Sequence, residues 1–145
     1  MKAVVQRVSK ASVVNCETGK TVAQIGQGIF ILLGISKKDK KEDAEKLANK
    51  ITHLRIMSDA GRKMNLSIFQ TSKEVLVVSQ FTLLSDLKKG NRPSFPQAME
   101  SRYARILYEY FVKRIRAHGL KVATGSFGAY MRITASLDGP VTIVI

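Results

Sequence analysis

An α/β domain is what the order of patterns along this chain predicts, and three observations carry that expectation. Apolar, β-branched runs of strand length fill the first third and the C-terminal end. Two longer stretches, residues 40–56 and one from Pro96 to Gly119, place apolar residues at every third or fourth position, the spacing of a helix face. Between them lies one buried-strand pattern at residues 74–79. The order is strands, helix, strand, helix, strands, rather than a simple βαβ alternation. At 145 residues the chain is the length of one domain, 1–145, and a domain of that size buries roughly two-thirds of the surface its unfolded form exposes.

Each element has its own signal. Residues 3–8 and 11–14 are β-rich, 17–20 form a turn, and 21–25 and 28–35 are two further strands. The last is apolar throughout, as in a strand covered on both faces. Gly26-Gln27-Gly28 between them is read as a hairpin turn rather than a dinucleotide loop. The first helix carries Ala44, Leu47, Ala48, Ile51 and Leu54 on one face, with Asp39 as N-cap and Glu42 three residues on, as in a capping box. Residues 58–63 are a loop leading to 64–67, and 80–84 follow the strand at 74–79.

Residues 86–95 read as a long polar, basic loop, and Pro96 fits the first turn of the second helix. That helix has an apolar stripe of Met99, Tyr103, Ile106, Leu107, Tyr110, Phe111 and Ile115, and Gly119 is its stop. Three strands, 121–126, 130–137 and 141–145, close the chain. No repeat, low-complexity stretch or linker interrupts it.

Composition narrows the function. Lys and Arg number 24 against 11 Asp and Glu, a formal net charge of +13. So diffuse a positive field points to a polyanionic partner. Lys37, Lys38, Lys40 and Lys41 lie at the entrance to the first helix, Lys88, Lys89 and Arg92 on the long loop, and Arg102, Arg105, Lys113, Arg114 and Arg116 on the second helix. Such clusters, without an aromatic platform among them, suit a phosphate backbone and shape-based RNA contact, not base reading in DNA. The single Cys16 points to a reducing compartment, and no apolar stretch is long enough to span a bilayer. A cytoplasmic protein without a membrane partner is expected.

Standard catalytic constellations are mostly absent. His53, His118 and Cys16 are the only soft ligands, so no metal is expected, and with no GxxxxGK[ST] loop no cofactor is expected either. One cluster reads as chemical: Ser79-Gln80-Phe81-Thr82-Leu83 places two hydroxyls and an amide at the end of a buried strand, where backbone N–H groups can leave the sheet and meet an oxyanion or carbonyl. A nucleophilic Ser79 or Thr82 is the weaker reading, since no histidine or lysine is evidently placed to activate it. Gly139-Pro140, directly before the run 141–145, has two readings: a turn that starts a terminal edge strand, or a bare, rigid wall of backbone.

Arg7 in Val5-Gln6-Arg7-Val8, Lys63-Met64-Asn65-Leu66-Ser67, Ser79-Gln80-Phe81-Thr82-Leu83, Lys89-Gly90-Asn91-Arg92-Pro93-Ser94-Phe95, Thr124-Gly125-Ser126-Phe127-Gly128 and Gly139-Pro140 together resemble, in order and spacing, the D-aminoacyl-tRNA deacylase family. The resemblance covers essentially the whole chain. It implies a homodimeric three-layer α/β/β fold that hydrolyses the ester between a D-amino acid and the terminal adenosine of tRNA. It further implies that Gly139 and Pro140, joined by a cis bond, reach from one subunit into the pocket of the other as a chiral wall held by Arg7. Ser79, Gln80, Phe81 and Thr82 would line the adenosine and aminoacyl site, with Phe95 and Met131 as pocket members. A relative that clears L-alanine from the wrong tRNA, and a non-catalytic basic RNA-binding module, are the rival readings.

Overall fold

The computed structural model describes residues 1–71, 73–88 and 90–145, so Lys89 of the basic loop lies outside the described residues. The chain opens with β1 (Lys2–Asn15), one strand where two were expected. Ser9 and Lys10, whose polarity suggested a break, are exposed, and register shifts against the last strand absorb the irregularity there. A bulge has replaced a turn. β2 (Thr21–Ile25) pairs with residues 11–14 of β1, and β3 (Gly28–Gly34) pairs with residues 2–8. The two are successive halves of one bent antiparallel partner of β1. Gly26-Gln27-Gly28 is therefore a corner between them and not a hairpin turn.

The helix α1 (Lys41–Thr52) ends four residues earlier than residues 40–56 predict. Its cap is also displaced by one position: Lys40 is the N-cap, and its N–H donates to the Asp43 carboxylate at 2.9 Å. Asp39 instead receives the N-terminal ammonium of Met1 and the Ser36 N–H, both at 2.5 Å. An acid that looked like a cap ties the chain start to the β3–α1 loop.

β4 (Met57–Ser58) and β5 (Met64–Leu66) form a two-stranded ribbon around the expected loop, and α2 (Ile68–Thr71) follows. β6 (Glu74–Ser79) matches its prediction and pairs parallel with β3 on one side and β7 (Val122–Thr124) on the other. The helix α3 (Ser101–Ala117) starts later than expected, with Glu100 as N-cap, so Pro96 belongs to a preceding turn. Gly119, at φ 78°, follows the His118 C-cap as a left-handed stop.

The last two expected strands are a single one, β8 (Met131–Val144), which runs through Gly139 and Pro140 along the opposite edge of β1 from β2 and β3. The Gly-Pro pair does not start a strand. It interrupts the ladder within one, between the pairings Val8–Leu137 and Gln6–Thr142.

The sheet buries both faces. On one, Ile29, Ile31, Leu33, Val75 and Val77 pack under the two long helices, which contribute Ala44, Ala48, Ile51, Phe111 and Ile115. On the other, Val8, Val13, Ile25, Phe30, Leu76 and Val78 form a second core, with Met131, Ile133 and Ala135 of β8 packed against it. β3 and β6 feed alternate residues to both cores, which is why they carry continuous apolar runs.

The α3 stripe is rotated from the expected one. Leu107, Tyr108, Phe111, Val112 and Ile115 are buried, whereas Tyr103 and Ile106 are 49% and 52% exposed. Tyr108 enters the core with a partner for its polar tip: its hydroxyl donates to Val77 O at 2.8 Å, and burial pushes its pKa above the ordinary phenol range.

Candidate active site

β6 delivers the first wall of the site. Residues 75–78 are buried between β3 and β7, and Gln80 N–H makes a last bond to Leu33 O at 2.8 Å. The backbone then winds into a 3₁₀ turn at Phe81–Leu84. A helical turn leaves its first N–H groups without intrahelical acceptors. Among the described residues no acceptor meets the N–H of Phe81 or Thr82. The Gln80 side-chain amide donates to the Thr82 hydroxyl across the start of this turn.

Phe81 is 56% exposed, and its ring meets Phe95 edge to face at 4.9 Å between centroids and 69° between planes. Phe95 reaches it because the basic loop closes on itself: Asp86 N–H donates to Ser94 O at 2.8 Å and Ser94 N–H to Asp86 O at 3.1 Å. A segment read as a long loop is thus pinned at its base.

Beside Ser79, Gln80 and Phe81 lies a cavity of about 620 Å³, closed by Met131 and Ile133 of β8, by Met99 just before α3 and Ala104 in its first turn, and by residues 127–130. Its size and mostly apolar lining, with a few polar groups at one wall, suit a small organic ligand. Met131 is held in place there. Its sulfur accepts the Ser126 N–H at 3.2 Å, and a Cβ on Gly125 would stand 3.0 Å from that sulfur and 3.2 Å from Val78 Cγ2. Glycine at 125 leaves the room Met131 occupies.

Arg7, Gly139 and Pro140 form a second cluster. The Arg7 side chain is nearly buried on β1 and its Nε donates to Asp138 O at 3.1 Å while pairing with the Asp138 carboxylate at 3.1 Å. Its Nη1 donates to Ile56 O at 2.9 Å and to Ser58 Oγ at 3.2 Å. One planar guanidinium therefore joins β8 to the ribbon at β4. The Gly139–Pro140 peptide bond is cis, and Gly139 sits at φ 126°, where a side chain is strained. A Cβ there would come within 2.8 Å of Val141 Cγ2 and 3.1 Å of Arg7 Nη2.

The sequence-predicted residues thus divide into two places within one chain. Ser79, Gln80, Phe81 and Met131 share the cavity, with Thr82 and Phe95 beside it, whereas Arg7, Gly139 and Pro140 are not among the described residues that line it. Sequence reasoning missed Met99, Tyr130 and Ile133 as lining residues, and Ile56 and Ser58 as anchors of Arg7. Met99 carried a signal, since it was read as apolar helix stripe. Main-chain acceptors such as Ile56 O carry none, because any residue type supplies them.

The remaining candidates sit apart. His53 and His118 are the C-caps of α1 and α3, with ring centroids 5.5 Å apart and Phe69 stacked on His53 at 5.3 Å. Among the described residues no group of three His, Cys, Asp or Glu side chains is arranged to hold a metal ion. Of the basic residues on α3, Arg105 pairs with Glu109, Arg114 with Glu45, and Arg116 donates to Val122 O. Part of the positive charge is therefore spent on packing.

By likeness, the fold and cavity define a class of mixed α/β proteins whose solved members match over almost the full chain. A structure of a c-Myc DNA Unwinding Element Binding Protein covers 100% of this chain and 97% of its own, at TM-score 0.92 and 42% identity. A probable eukaryotic D-amino acid tRNA deacylase shares the fold at TM-score 0.87 and 17% identity, over 99% and 97% of the two chains. The chain belongs to the D-Tyr-tRNA(Tyr) deacylase family, whose model matches residues 4–145. A D-aminoacyl-tRNA deacylase of Dehalococcoides mccartyi is 53% identical over 145 residues, 100% of this chain and 94% of the relative. One of Thermosipho melanesiensis is 48% identical over 147 residues, 100% and 96% of the two. Among the described residues no helix is long and apolar enough to cross a membrane.

Proposed function

We propose that this protein is a D-aminoacyl-tRNA deacylase, which hydrolyses the ester between a D-amino acid and the 3′-terminal adenosine of tRNA. The observation that carries the reading is the family match over residues 4–145, joined to a cavity lined by Ser79, Gln80 and Phe81, where β6 ends and the 3₁₀ turn begins. In this reading Ser79, Gln80, Phe81 and Thr82 hold the adenosine and the aminoacyl ester, with Phe95 and Met131 supporting the pocket. The Phe81 and Thr82 N–H groups receive the carbonyl oxygen as it gains charge. Water adds to the carbonyl carbon, the bond from that carbon to the ribose oxygen breaks, and the ribose oxygen takes the proton. The substrate's neighbouring 2′-hydroxyl assists, so the chain supplies neither acid nor nucleophile, metal nor cofactor.

Chirality enters through exclusion. D and L amino acids exchange hydrogen and side chain at Cα, so a rigid wall against one position admits hydrogen and rejects a methyl. Gly139 and Pro140 form that wall, held by Arg7. In this reading, as the family resemblance implies, they act on the cavity of a second copy, and the active form is a homodimer of three-layer α/β/β subunits working in the cytoplasm on tRNA, without membrane or DNA. Glycine has hydrogen at both positions and passes the wall, so glycyl-tRNA, including glycine mischarged on tRNA(Ala), is also cleared.

The test pairs protein and substrate changes. Thr82→Ala should keep substantial activity on D-tyrosyl-tRNA, whereas a 2′-deoxy terminal adenosine should lose most of it. A trapped acyl-Thr82 species would reverse that order and establish covalent catalysis. The basic surface alone would also serve a non-catalytic RNA binder. Turnover of many substrate molecules per protein separates the two.

A further inference from the structure

A second concavity, of about 520 Å³, lies on the outer face of α3 and is lined by Lys37, Met99, Glu100, Tyr103, Ile106 and Leu107. Tyr103 and Ile106 account for its exposed apolar surface, and they are the two residues of the predicted core stripe that the fold leaves outside. Together they present an apolar patch on an otherwise charged helix, the kind of surface that takes a partner.

Three features specify its chemistry. The groove adjoins the cavity, with Met99 lining both. Backbone bonds from Lys37 N–H to Gln97 O at 3.0 Å and from Met99 N–H to Ile35 O at 2.9 Å tie the partition between them into place. The groove is also rimmed by cations: Lys37 lines it, and the Arg102 guanidinium lies 4.7 Å from the Tyr103 ring centre and donates to its hydroxyl at 2.7 Å. Finally, Glu100 is the one carboxylate among the lining residues, set against Lys37 in the lining and Arg102 beside Tyr103, so the edge keeps positive charge for a phosphate. A flat aromatic ring braced by arginine, with lysine alongside, is the arrangement that stacks a base and neutralises its phosphate.

Resting on the deacylase reading, we infer that this groove binds the unpaired 3′ nucleotides that precede the terminal adenosine of tRNA, with one base stacked on Tyr103 and its phosphate near Lys37 and Arg102. The adenosine enters the cavity, and the strand leaves it across Met99. Tyr103 and Ile106 are then substrate-positioning residues that touch RNA and not the reacting ester.

The experiment measures fluorescence anisotropy of labelled, unacylated tRNA, alongside hydrolysis of D-tyrosyl-tRNA and of the minimal ester D-tyrosyl-adenosine. Tyr103→Ala and Ile106→Ser should weaken tRNA binding and raise KM for D-tyrosyl-tRNA, about tenfold for Tyr103→Ala, with kcat unchanged. Hydrolysis of D-tyrosyl-adenosine should be unaffected, and Tyr103→Phe should restore tRNA binding. Unchanged tRNA affinity in Tyr103→Ala overturns the inference, as does an equal loss on D-tyrosyl-adenosine. So does a change in sedimentation, which would give the groove to a second copy. Wild-type protein that cleaves neither substrate defeats the deacylase reading alone, because the anisotropy of Tyr103→Ala still decides the groove.

Discussion

The Arg7 guanidinium hydrogen-bonds three other residues, and that network is legible only in part from the sequence. Its candidacy was readable from the Val5-Gln6-Arg7-Val8 motif; that it reaches Ile56 O, Ser58 Oγ and Asp138 was not, because those partners lie 49, 51 and 131 residues away. A planar guanidinium serves all three, which a lysine ammonium on a flexible stem cannot do. Arg7→Met should therefore lower stability by about 2 kcal/mol in urea unfolding, since it removes charge-assisted bonds and leaves the buried Ile56 carbonyl unpaired. Wild-type stability in that variant would show that the network is not holding β8. Tyr108 is the contrasting case. Its hydroxyl bonds Val77 O, which also accepts the Gly125 N–H, so Tyr108→Phe strands no acceptor. A loss of about 1 kcal/mol or less is expected from the same measurement.

Among the elements, β3 and β6 were plain in the sequence because a strand buried on both faces writes an uninterrupted apolar run. β8 was not, since Asp138-Gly139-Pro140 carries every local sign of a turn while β1 continues to pair on both sides of it. Tertiary pairing overrode turn chemistry. The same override moved the start of α3 past Pro96 and turned Tyr103 and Ile106 outward, for helix spacing alone cannot say which neighbours form the core. Glu74, at the start of β6, links three elements: the Lys121 ammonium hydrogen-bonds its carboxylate, and the Gly26 N–H at the β2–β3 corner donates to it at 2.6 Å. The Lys121 bond first, then the Gly26 bond, hold its pKa below the ordinary carboxylate value. A depressed pKa adds stability above the unfolded-state value and loses it as pH falls through the folded one. Glu74→Gln should thus be less stable than wild type at pH 7, by under about 1 kcal/mol for so accessible a pair, with the gap narrowing as acid protonates the carboxylate. A gap that stays constant as pH falls would assign the effect to packing instead.

On the scale of the whole molecule, positive charge and the separation of two clusters set the expectations. A chain of net charge +13 that binds tRNA through phosphates should lose affinity linearly in log salt, and Lys37→Ala should make that slope shallower by about one unit. An unchanged slope would place Lys37 off the RNA path. The cavity beside Ser79, Gln80 and Phe81 is not lined by Gly139 or Pro140 of its own chain, and under the proposed function chiral selection depends on two copies joining. Sedimentation at working concentration should show a dimer, and activity should fall with dilution below its dissociation. The most direct measurement places D-tyrosine, L-tyrosine and glycine in turn on the same tRNA and follows release of each amino acid by catalytic amounts of protein. Rapid hydrolysis of the D-tyrosyl and glycyl esters with the L-tyrosyl ester left intact is the predicted result. Equal hydrolysis of D- and L-tyrosyl-tRNA, or hydrolysis of neither, would contradict a stereochemical gate made of backbone.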